Sequence, residues 1–147
     1  MAATDDVVIV ERIERKGPEA YVGEFIGTFL LVLFIGLILA SNSKIGLGFT
    51  DFAVIGLLHA FVLTMLVASL GGLTGAHFNP AVTATLAAVR KITPADALIY
   101  VIVQFAGAIA AALVLKWLMT GVADVTNFGA PAVNDKFVPS DGAAFAW

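Results

Sequence analysis

The chain has 147 residues, 60% of them hydrophobic and 13% charged, with a net charge of −3 and no cysteine. A soluble domain carries roughly 45–50% apolar and about 25% charged residues, so this balance is that of a membrane protein. Disulfides, thiolate nucleophiles and cysteine metal sites are excluded, and no cofactor or nucleic-acid partner is expected.

Residues 1–18 read as a cytoplasmic tail. Their short apolar run at 7–10 is bounded by Asp5, Asp6 and Glu11, unlike the basic-then-apolar layout of a secretory signal. Three apolar runs follow at 21–40, 52–73 and 97–115, each near the length of about 20 residues that crosses a bilayer. Glu24 is the single charged residue within them. A carboxylate at such a place marks either a functional group or a tightly hydrogen-bonded one. Gly23-x-x-x-Gly27 in the first span and Gly107-x-x-x-Ala111 in the third are small-residue pairs that let helix backbones approach, although apolar helices also contain such pairs by chance.

The link 41–51 is polar and contains Gly46 and Gly48, as a turn between antiparallel spans requires. The second span holds His59, and a histidine among apolar residues is often simply a satisfied buried group. Gly71 and Gly72 close this span. The stretch GAHFNPAVT at 75–83 is too polar to continue a lipid-facing helix. Asn79-Pro80 has the form of a helix start, with an asparagine cap and proline at the first helical position.

A helix over 80–90 would be about 16 Å long, half of a hydrocarbon core of about 30 Å. With Arg90 and Lys91 at the membrane surface, Asn79 would then sit near the midplane, preceded by unwound backbone. Such backbone is tolerated there only inside protein or beside a water-filled cavity, so the carbonyls of Gly75, Ala76, His77 and Phe78 point to a hydrated path. The Asn79 side-chain oxygen can cap the helix through the amide of Ala81 or Val82, leaving its NH₂ free to donate. The positive end of the helix dipole lies at the same place and disfavours cations. A plain loop outside the membrane would read similarly.

Thr93-Pro94 is a second helix start, giving a third span over about 95–118. From 121 to 147 glycine, proline, asparagine and aspartate indicate an exposed extracytoplasmic loop. Five basic residues (Arg12, Arg15, Lys16, Arg90, Lys91) fall on one side and three (Lys44, Lys116, Lys136) on the other, which places the N-terminus in the cytoplasm.

SLGGLTGAHFNPAVT, together with GEFIGTFLLV in the first span and VQFAGA in the third, closely resembles the aquaporin or major intrinsic protein family over roughly residues 19–147. The resemblance implies an all-α membrane protein with three transmembrane helices plus one re-entrant half-helix, one repeat of the aquaporin-like fold, occupying 19–120. In that family two inverted repeats bring two Asn-Pro-Ala turns together in a pore. Asn79, Pro80 and Ala81 would be one such motif, and Gly75, Ala76, His77, Phe78 and Asn79 would line the pore.

His59, twenty residues before Asn79, matches a position of the family's pore constriction. A histidine there is closest to the wider, ammonia-tolerant channels of plant vacuoles. Glu24 matches a glutamate that braces the re-entrant loop by accepting backbone N–H bonds, although a proton-relay role is the alternative. Gln104 matches a structural glutamine.

The implied function is passive conduction of water or small neutral solutes such as glycerol or ammonia, by a homotetramer in the cell membrane. The 147 residues hold one Asn-Pro-Ala and no following arginine, so the expectation is an incomplete half. A secondary transporter with a broken helix and a non-conducting membrane protein are the alternatives. An enzyme is not expected, since no nucleophile–base pair or metal cluster is visible.

Overall fold

In the computed structural model, residues 16–42 and 49–120 are described. They form α1 (Pro18–Asn42), α2 (Phe49–Thr74), α3 (Pro80–Ala88) and α4 (Pro94–Leu118), with no strand among the described residues. Three of these helices are long and apolar enough to cross a membrane. At 25, 26 and 25 residues they measure roughly 38 Å each, which leaves length for tilt or for ends outside a core of about 30 Å. The chain is therefore an all-helical multi-pass membrane protein.

α1 is the centre of the arrangement. It packs against both α4 and α2, while α3 packs against α4. Gly107 brings α4 onto the α1 backbone, since a Cβ at this position would lie 2.6 Å from the Phe25 carbonyl oxygen. In a membrane, where apolar burial drives little association, such close packing is a main source of helix adhesion. Large apolar side chains instead face outward, among them Phe61, Met65, Ile102, Phe105 and Ile109.

The Gly23/Gly27 pair is used in two ways. Gly23 receives the end of α2 and Gly27 the turn that follows it: a Cβ at Gly23 would overlap Thr74, and one at Gly27 would overlap the Phe78 ring. Gly23 thus admits the end of a neighbouring helix, and Gly27 makes room for the re-entrant turn.

Helix ends differ from the sequence reading. Gly71 and Gly72 lie in the last turn of α2, which ends at Thr74, one residue past the expected bound of 73. In lipid the hydrogen-bond cost of unwinding exceeds the entropic cost of a helical glycine, about 1 kcal/mol. α3 stops at Ala88 instead of reaching residue 90, because Arg90 turns into the left-handed region (φ 58°). The expected link 41–51 is narrowed by α2, which begins at Phe49. The expectations for the tail and for the loop 121–147 lie outside the described residues.

At the end where α1 and α4 begin and α3 stops, Ala20, Ile92, Ala97 and Tyr100 form a buried cluster with Tyr21, Leu86 and Ala87. Beside it the fully buried Asp96 accepts from Tyr21 Oη (2.7 Å), Thr93 Oγ1 (2.5 Å) and the Lys16 amide (3.2 Å). This carboxylate ties the start of α1 to the start of α4. Thr93 in turn caps α4 by accepting from the Asp96 amide at 3.1 Å.

Candidate functional site

Between α2 and α3 the backbone makes a tight non-helical passage across α1. Gly75 (φ 86°), Ala76 (φ 52°) and Phe78 (φ 45°) all lie in the left-handed region. For the two residues with side chains this costs on the order of 1–3 kcal/mol each. Something must hold the turn, and the amides identify what does.

Each N–H of the segment bonds within the protein. Gly75 N donates to Gly71 O (2.9 Å) and Ala76 N to Thr74 Oγ1 (2.8 Å). His77 N donates to Glu24 Oε1 (2.9 Å) and Phe78 N to Glu24 Oε2 (2.7 Å). One fully buried carboxylate on α1 thus grips two successive amides. Bonds to a charged acceptor contribute about 1.5–3 kcal/mol each, enough to offset the left-handed backbone.

The carbonyls behave oppositely. Among the described residues no donor reaches the oxygens of Gly75, Ala76, His77 or Phe78. The segment is one-sided, with its donors engaged by the protein and its acceptors left over.

Asn79 follows with extended backbone (φ −153°, ψ 126°), and its Oδ1 accepts from the Ala81 amide at 2.8 Å, capping α3 with Pro80 at the first position. The Asn79 side chain is exposed, and its Nδ2 has no acceptor among the described residues. α3 has nine residues, roughly 13 Å.

A buried polar network backs this turn. Gln104 Nε2 lies 2.8 Å from Glu24 Oε2 and 3.0 Å from Thr83 Oγ1. Thr83 Oγ1 also lies 3.2 Å from Asn79 O and 3.0 Å from His77 Nδ1. The His77 ring meets Tyr100 edge-on, with centroids 5.0 Å apart, and Tyr100 Oη donates to Thr74 O at 2.7 Å. The last carbonyl of α2 and the first turn of α3 are therefore both fixed to α4.

Of the residues singled out from sequence, the structure brings Glu24, His77, Phe78 and Gln104 into one hydrogen-bonded group, with Asn79 joined to it through Thr83. His59 stands apart. It is half-buried on α2, its Nδ1 is 2.8 Å from Ile55 O, and no hydrogen bond or ring contact among the described residues links it to the turn. The sequence reading passed over Thr74, Thr83, Asp96 and Tyr100. Thr93-x-x-Asp96 carries a capping-box spacing that could have pointed to Asp96; the Tyr100–Thr74 bond has no local signal. Among the described residues no cluster of three or more metal-ligating side chains occurs.

The sequence matches the family described as "Major intrinsic protein" over residues 13–144. It is 41% identical over 96 residues to "Glycerol uptake facilitator protein-like 6" of Lactiplantibacillus plantarum, covering 65% of this chain and 42% of that protein. To "Aquaporin AqpM" of Methanothermobacter marburgensis it is 36% identical over 128 residues, 76% of this chain and 52% of the relative. To "Probable aquaporin TIP-type RB7-5A" of Nicotiana tabacum it is 35% identical over 120 residues, 79% and 48% of the two chains. The chain spans about half the length of the curated relatives it matches. A match over nearly its whole length, carried on three membrane-length helices and a capped half-helix, means that the chain belongs to the major intrinsic protein family.

Proposed function

We propose that this repeat forms one wall of a passive conduit for water or small neutral solutes, and that it does not work as an enzyme. The carrying observation is the one-sided turn: four amides held by the protein and four carbonyls without an internal donor. Acceptors without an internal donor inside a membrane require either water or a permeant that donates to them. The relatives named for aquaporin and glycerol uptake support the same class of permeant.

In this reading Gly75, Ala76, His77 and Phe78 offer carbonyl acceptors, and Asn79 Nδ2 offers a donor at the start of α3. A molecule in passage is then oriented by an acceptor row and a donor, while the positive end of the α3 dipole disfavours cations. Glu24 and Gln104 brace the turn and do not relay protons, since both Glu24 oxygens are occupied as acceptors. His59 lines the same conduit at a separate level. Three spans and a half-helix enclose no lumen by themselves, so the opposite wall comes from a second unit of this kind. The whole assembly is a homotetramer in the cell membrane, with the N-terminus cytoplasmic.

Stopped-flow swelling of proteoliposomes tests the reading. Fast osmotic flux that is insensitive to ion gradients is the expected result. Flux that follows an ion gradient would replace the channel by a coupled transporter.

A further inference from the structure

Apart from the re-entrant turn, Arg90 is the one described residue with a positive φ. It closes α3 in a double-bonded cap: Arg90 N donates to Ala87 O at 3.0 Å and Lys91 N to Leu86 O at 2.8 Å. This is the Schellman arrangement, with Arg90 at the left-handed position that glycine usually fills. Glycine would adopt that backbone freely. An arginine there gains nothing for the cap.

Compensation of the helix dipole does not explain the choice either. Ala88 and Val89 are exposed in the last turn, and a basic residue at either would serve the dipole without left-handed backbone. Arg90 is itself exposed and makes no ion pair among the described residues. Of the described acids at this end, Asp96 is buried and accepts from Tyr21, Thr93 and Lys16, and Glu19 on α1 is exposed without a bond to Arg90. Lys91 follows directly. Lys16 lies at the same end, since its amide reaches Asp96.

We propose that Arg90 binds the phosphodiester headgroup of an anionic phospholipid and so anchors the surface end of the half-helix to the bilayer. The planar guanidinium makes paired bonds to phosphate oxygens, and the Schellman turn holds Arg90 at the end of a rigid nine-residue helix. This inference rests on the proposed depth of α3. If Asn79 is near the midplane, a helix of roughly 13 Å places Arg90 at the headgroups.

The test is the rise in unfolding temperature of the full chain in neutral micelles titrated with phosphatidylglycerol or with phosphatidylcholine, which yields an apparent Kd. Wild type should respond to phosphatidylglycerol and little to phosphatidylcholine. Arg90→Gly should weaken the apparent affinity about fivefold, with an unliganded midpoint equal to or above wild type, because glycine accepts the backbone. Arg90→Lys should fall between, a point charge replacing the fork.

Equal responses to the two lipids, or an Arg90→Gly variant that binds phosphatidylglycerol as wild type does, would overturn the proposal. Inorganic phosphate that abolishes the lipid response would instead assign the site to a free anion and overturn the lipid. Loss of the headgroup preference while osmotic flux persists would sink this inference alone, leaving the channel reading intact.

Discussion

Phe78, a residue only 2% exposed, lies in the groove that Gly27 leaves open: a Cβ on Gly27 would overlap its aromatic ring. The re-entrant turn and the first span are thus fitted to one another by the absence of a single methyl group. Gly27→Ala should destabilise the protein by about 2 kcal/mol through overpacking, measured by denaturant unfolding in detergent. A second change, Phe78→Leu, should recover part of that loss; no recovery would mean that the contact is not where the cost arises.

Glu24 supports the same turn from below. Glu24→Ala leaves the His77 and Phe78 amides buried without an acceptor, at about 1–3 kcal/mol per group. Glu24→Gln keeps one acceptor oxygen but turns an NH₂ toward a donor. Both variants should lose stability and osmotic flux, with the alanine variant the less stable. Full stability in Glu24→Gln would contradict the geometry.

Tyr100→Phe isolates one hydrogen bond. The ring contact with His77 remains, and the Thr74 carbonyl loses its 2.7 Å donor. The expected cost is about 1–3 kcal/mol, seen as faster amide exchange at the end of α2.

Tyr21→Phe and Thr93→Ala should be coupled, because both hydroxyls bond the buried Asp96. Each alone should cost about 1 kcal/mol, the threonine also as a lost helix cap. The double mutant should depart from additivity by more than about 0.5 kcal/mol. Strict additivity would show that Asp96 does not link them.

Much of the fold was legible because lipid forces regularity: apolar runs of sufficient length are helices, and Asn79-Pro80 and Thr93-Pro94 carry their own start signals. The ends were less legible. Arg90 could not be read as a left-handed cap, since arginine is seldom found there. The Gly23/Gly27 spacing showed that something packs closely but not what, because the occupants, Thr74 and Phe78, are about fifty residues away in the chain. The polar group around Glu24 is likewise a product of tertiary contact: Gln104 and His77 reach it from 80 and 53 residues away.

Solid-state NMR in bilayers gives the most direct measurement, comparing magnetisation transfer from water protons and from acyl-chain protons to the carbonyls of residues 75–78 and to Asn79 Nδ2. Rapid transfer from water, little from acyl chains, and protection from a soluble paramagnetic chelate are the predicted result, with Phe61 and Ile109 showing the acyl-chain pattern. Acyl-chain transfer to those carbonyls, or broadening by the chelate equal to that of a surface loop, would contradict the account.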